Sequence, residues 1–111
     1  MKITVRIENG IAVIDLEGDL MPGYGREDLS DRVADLLKDG HRNFLMNFGK
    51  ADLIDSSGIG TLVRSFTSIR LCGGQLKLLR VSSFVHRVFS ITGLITVFDI
   101  FDDETAALSS F

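Results

Sequence analysis

The sequence has a single cysteine, Cys72, and only two histidines, His41 and His86. One thiol excludes an internal disulfide and fits a reducing cytoplasm. The histidines stand far apart with no ligand spacing around them, so no metal site and no other cofactor is expected. Positive charge is also scarce: 12 Lys and Arg against 15 Asp and Glu give a net charge of −3. There is no basic footprint to mark a direct nucleic-acid partner. No apolar run is long enough to span a bilayer, so no membrane insertion is expected. The charged, alternating start "MKITVRIENG" does not read as a signal peptide. Repeats, linkers and shifts of composition are missing too. What remains is an ordinary globular balance, 45% hydrophobic and 24% charged over 111 residues. That suits one domain, residues 1–111, with one modest core.

Periodicity then divides the chain. Residues 2–8 alternate, with Ile3, Val5 and Ile7 on one face and Lys2, Thr4, Arg6 and Glu8 on the other, the pattern of a half-buried strand. Asn9-Gly10 follows, a strong hairpin signal because both positions tolerate positive φ, and a second strand returns over 11–18. The segment "DLMPGYGRED", with Pro22, Gly23 and Gly25, is loop. Over residues 26–39 the period becomes helical. Leu29, Val33, Leu36 and Leu37 form a stripe, Glu27 and Asp28 sit in the first turn, and Gly40 ends it. Residues 43–48, "NFLMNF", read as a central strand.

The helix from Ser56 is expected to bury Ile59, Leu62, Val63, Phe66 and Ile69. Gly60, Thr61, Arg64, Ser65, Thr67 and Ser68 would then face outward, and Gly73-Gly74 stops the helix. A strand over 75–81 follows. Ser82 or Ser83 caps a short helix with Phe84, Val85, Val88 and Phe89 inward, closed by Gly93. A last strand over 96–101 precedes a terminal helix in "DDETAALSS". The order β-β-α-β-α-β-α-β-α implies right-handed crossovers and parallel neighbours behind an antiparallel hairpin. The fold class is α/β: a mixed sheet with about four helices mainly on one face.

The segment Asp55-Ser56-Ser57-Gly58 admits two readings. Asp55 or Ser56 can cap the helix by accepting a free N–H. Alternatively Ser56 receives a phosphoryl group, which the helix N-terminus stabilises through its free amides and dipole. Gly58 and Gly60 would let another protein approach, and Asp55 could orient the hydroxyl before transfer. The small polar face of Gly60, Thr61, Arg64 and Ser65 is either a contact surface or a solvated helix side. Cys72 reads as a small buried hydrophobe. His86 and Arg87 are surface charges or partners for a phosphate. There is no G-x-S-x-G segment, triad order or P-loop, so no enzyme is expected.

The stretch from Asp52 to Leu94 resembles the STAS domain, the family of the bacterial anti-sigma factor antagonists. The matching pieces are Asp55-Ser56-Ser57-Gly58-Ile59-Gly60, Gly73-Gly74, His86-Arg87-Val88-Phe89 and Gly93-Leu94. The resemblance implies that Ser56 is the phosphoacceptor. It implies a partner kinase that is itself an anti-sigma factor with a GHKL-type ATP site, and a metal-dependent serine phosphatase that reverses the modification. The unphosphorylated form would bind the kinase and free a sigma factor, making the chain a switch and not an enzyme. The contact surface would comprise Asp55, Ser56, Ser57, Gly58, Gly60, Thr61, Arg64 and Met21. Met21 marks a departure: the family's Gly-Glu/Asp-Leu-Asp turn reads Gly18-Asp19-Leu20-Met21 here, which would retune kinase choice, mean that the protein is not phosphorylated in the usual way or, with Tyr24, form an apolar contact for a different partner. The alternative is a STAS scaffold or regulatory subunit, in a signalling assembly or on a lipid-transport ABC complex, with Ser56 as a cap at a permanent interface.

Overall fold

Two residues with positive φ start the fold. Asn9 (φ 54°) and Gly10 (φ 79°) turn β1 (Lys2–Glu8) back as β2 (Ile11–Glu17), in the twist a two-residue hairpin needs. Glu8 pairs with Ile11 and Lys2 with Glu17. The computed structural model describes residues 2–19 and 29–111. Met21, Tyr24, Glu27 and Asp28, each expected above to carry a role, therefore lie outside the described residues.

The chain continues through α1 (Leu29–Lys38), β3 (Asn43–Lys50), α2 (Ser56–Leu71), β4 (Gln75–Leu79), α3 (Ser83–Thr92), a 3-10 turn (Leu94–Thr96), β5 (Asp99–Phe101) and α4 (Glu104–Ser109). Among the described residues the strands form one sheet in chain order, β1-β2-β3-β4-β5, antiparallel in the hairpin and parallel thereafter. Three successive right-handed crossovers stepping the same way put α1, α2 and α3 on the same face. There Ile14, Phe44, Met46 and Leu78 of the sheet meet Val33, Leu62, Ile69 and Phe89 of the helices. Among the described residues, α4 and the chain end after it cover the other face, where Ala107, Leu108 and Phe111 pack on Ile11, Val13, Leu45 and Leu79. β3 is apolar toward both layers, as a central strand must be. No helix among the described residues is long and apolar enough to cross a membrane.

Four local expectations change, and one open alternative, the cap of α3, is decided. β4 stops at Leu79 because Arg80 adopts a left-handed φ of 55°. β5 is short because Thr96 and Val97 donate back to Gly93 and Leu94, forming the 3-10 turn instead of pairing with β4. Ser82 is the cap of α3, accepting from the Val85 amide at 3.1 Å. Phe84, in the first turn, is 48% exposed, while Val85 and Phe89 point inward. Cys72 is also exposed, not buried. It is the C-cap of α2, beyond the last buried turn at Ile69.

The largest difference is the rotation of α2. Its buried stripe is Gly58, Thr61, Leu62, Ser65 and Ile69, while Ile59, Val63 and Phe66 are only half-buried. Thr61 and Ser65, expected outward, are 5% and 1% exposed. Small side chains at 58, 61 and 65 let α2 lie close to its neighbours α1 and β4. The hydroxyls stay satisfied: Ser65 donates to the Thr61 carbonyl at 2.9 Å, and Thr61 Oγ1 accepts from Arg64 at 3.1 Å.

Candidate functional site

The serine loop is built from its anchors outward. After β3, Ala51 and Ile54 sink into the core and hold the segment between them at the end of the sheet. Three contacts lash the neighbouring loops together there. Gly18 donates to the Lys50 carbonyl (2.8 Å), Leu53 donates to Asp19 Oδ1 (3.3 Å), and Ser82 Oγ donates to the Asp52 carbonyl (2.7 Å). The loop therefore sits at the carboxyl ends of parallel strands, where open α/β sheets present their crevices.

Asp55 resolves the capping question. Its backbone is extended, and its Oδ1 accepts from the Gly58 amide at 2.8 Å. The Ile59 amide reaches the Asp55 carbonyl at 2.9 Å and begins the helical ladder. Asp55 does the work of the cap, so Ser56 and Ser57 are released from it. Both are exposed, and neither hydroxyl is bonded to any described residue. Ser56 occupies the first helical position, where unsatisfied amides and the dipole favour an anion. Asp55→Ala is expected to cost about 1 kcal/mol of stability, measured by urea unfolding, because the Gly58 amide loses its acceptor.

The surrounding residues sort by exposure. Arg64 is exposed, and its guanidinium folds back toward the helix start. A Cβ on Gly60 would lie 3.3 Å from its Nη1, so this glycine leaves space for the cation. Leu53, 38% exposed, adds an apolar contact beside the serines. Gly58 and Thr61, expected on the contact surface, are buried and form its support. His86 and Arg87 are exposed and line a shallow depression of about 500 Å³ beside α3. No hydrogen bond or ion pair joins them to the serine loop.

Comparison with known proteins identifies the family and the fold. A family model described as the STAS domain matches residues 2–107. The chain belongs to the STAS domain family. BtrV of Bordetella bronchiseptica is 26% identical over 111 residues, covering 100% of this chain and 95% of that protein. The anti-sigma F factor antagonist of Paenibacillus polymyxa is 23% identical, covering 98% and 93%. Among solved structures, the unphosphorylated form of the anti-sigma factor antagonist SpoIIAA superposes with a TM-score of 0.82 at 22% identity, covering 98% of this chain and 95% of that one. The phosphorylated form of SpoIIAA from Bacillus does so with a TM-score of 0.74 at 20% identity, covering 98% of each.

This STAS domain also carries a polar cluster that sequence reading missed. On the sheet face away from α2, the Arg6 guanidinium donates to Asp15 (Nε to Oδ2, 2.8 Å) and to Glu104 of α4 (Nη1 to Oε2, 2.9 Å). Asn47 donates to Asp15 Oδ1 at 2.8 Å. The signal was one acid, Asp15, inside the apolar strand "IAVIDLE". Burial alone would raise the Asp15 pKa, but the bonds from Arg6 and Asn47 outweigh it and hold the group below its usual value. The Arg6 hydrogen bond lowers Glu104 as well, against partial desolvation. Both carboxylates therefore ionise at lower pH in the folded chain than in the unfolded one. Their stabilisation is complete above about pH 4.5 and is lost as pH falls through the folded values. Glu104→Gln is expected to cost up to about 1 kcal/mol near pH 7. The difference from the parent should vanish toward about pH 2, as read by urea unfolding across that range.

Proposed function

We propose that this STAS domain is an anti-sigma factor antagonist whose docking is switched at Ser56. The reading rests above all on the uncommitted Ser56 hydroxyl: it stands exposed at a helix start whose capping is done by Asp55. In the unmodified state, the surface formed by Asp55, Ser56, Ser57, Gly60, Arg64 and Leu53 receives an anti-sigma factor, which releases its sigma factor. That anti-sigma factor is a serine kinase of the GHKL type and transfers the ATP γ-phosphoryl group to Ser56 Oγ. The hydroxyl proton leaves and ADP departs. The added charge, roughly −1.5 to −2 at neutral pH, lies beside Asp55 on the contact surface and breaks the complex. A serine phosphatase restores the hydroxyl. The chain itself works as a cytoplasmic binding switch, without catalysis of its own. The named relatives and SpoIIAA, known in both phosphorylation states, support this reading.

Gel filtration with a GHKL-type anti-sigma factor tests it. The unmodified domain should co-elute with the kinase and lose that co-elution after incubation with ATP. Co-elution that ATP leaves unchanged would instead indicate a permanent scaffold.

A further inference from the structure

The second face of the sheet carries a cleft that the serine switch does not use. Its volume is about 460 Å³, with Thr4, Arg6 and Glu17 around Asp15 and Asn47, and Lys50 and Arg80 at the strand ends. α2 lies on the opposite face, so the cleft is separate from Ser56.

The backbone turns Arg80 into this cleft. Along β4, Leu76 and Leu78 point to the helices, whereas Leu79 points to the other layer. Strict alternation would return residue 80 to the helix side. Arg80 instead takes φ 55°, a conformation uncommon for residues with a side chain. It follows Leu79 onto the same face, and only Val81 returns to the helix-side core. The Arg80 amide still donates to the Phe101 carbonyl at 2.8 Å, so pairing with β5 survives the reversal. Gly49 completes the arrangement. A Cβ there would lie 3.1 Å from Asn47 Oδ1 and 3.4 Å from Arg80 Cδ, so its absence leaves room for the arginine stem.

The charges are unequally committed. Arg6 is spent on Asp15 and Glu104, and Asp15 is also bonded to Asn47. Lys50 and Arg80 have no side-chain hydrogen bond or ion pair to any described residue. Lys50 attracts Asp15 and Arg80 attracts Glu104 only at longer range. Two cations with open donors thus flank a glycine at the carboxyl ends of β3 and β4, in a cleft where Asp15 is already paired with Arg6 and Glu17 stands at the edge. We infer that this cleft binds a small oxyanion, a phosphate or phosphomonoester group, between Lys50 and Arg80.

Amide NMR of the full chain tests this, with inorganic phosphate and glycerol 3-phosphate titrated separately at constant ionic strength. At least one of them should shift the Gly49, Lys50 and Arg80 amides saturably, with a dissociation constant of about 1 mM or tighter. A stronger response to glycerol 3-phosphate assigns an ester, and an equal response the free oxyanion. Arg80→Gly and Lys50→Gln should each weaken binding about tenfold. Glycine suits the positive φ at position 80, so the fold is retained while the guanidinium is lost. Absence of a saturable shift with both anions, or unchanged affinity in Arg80→Gly, would overturn the site.

Discussion

Ser56→Asp is expected to weaken binding to the anti-sigma partner by about 100-fold and to leave the domain folded. The two effects separate because of where Ser56 sits. Its hydroxyl is exposed and bonded to no described residue, so the substitution breaks no internal contact. An acid in the first turn favours the helix dipole, worth about 0.3–1 kcal/mol, so thermal stability should hold or rise slightly. At the contact surface the same charge joins Asp55 and must be desolvated beside it on docking. Misplaced interfacial charges of this kind cost about 2–5 kcal/mol. Ser56→Ala removes only an oxygen and should keep most of the affinity. Calorimetric titration and thermal unfolding on both variants check the pair. Undiminished affinity in Ser56→Asp would move the contact surface away from this loop.

Gly74→Ala is expected to be among the most damaging single-methyl changes in the chain. Gly74 is buried where the turn after α2 passes the start of β3. An added Cβ would collide with the Arg42 backbone carbonyl and come within 2.9 Å of Ile69 Cγ2. The carbonyl has little freedom to retreat, because it accepts the Gln75 amide at 2.9 Å, and the Gly74 amide is itself tied to Ile69 at 2.8 Å. Relief requires separating β3 from β4 at their start. A cost of about 3 kcal/mol follows, roughly a third of the stability of a domain this size. The midpoint of thermal unfolding should fall by about 10–15 °C. Gly73→Ala, at a position with φ 81° and open space around it, should cost only about 1 kcal/mol. Calorimetry on the two variants separates a steric clash from a conformational preference.

Much of the architecture was legible because strong local rules agreed with the fold. Asn9-Gly10 specified the hairpin, and the alternation of Ile3 and Val5 specified its buried face. The order of strands and helices specified crossovers that could stack α1, α2 and α3 only on one side. The rotation of α2 was not legible. Ile59, Val63 and Phe66 compete for the core in any helical projection, and only the neighbouring α1 and β4 select the stripe of small residues. Arg80 was hidden for a similar reason, since a single left-handed residue leaves no trace in a period-two pattern.

The candidate site was half visible. An acid before two serines at a helix start marked a capped terminus, but the sequence left Asp55 and Ser56 as equal candidates for the cap. Backbone geometry decided for Asp55 and thereby freed Ser56. The support beneath the serines was misassigned, because Gly58 and Thr61 look like surface residues until α2 is packed. The bridge from Arg6 to Glu104 joins the two ends of the described chain, a separation that periodicity does not reach.

Everything proposed for the switch depends on Ser56 Oγ being the atom that accepts the phosphoryl group. Intact-mass measurement after incubation with a GHKL-type anti-sigma kinase and ATP tests this most directly. The parent domain should gain a single phosphoryl group and Ser56→Ala none. An equal gain on Ser56→Ala, or no gain on the parent under conditions where the two proteins bind, would contradict it.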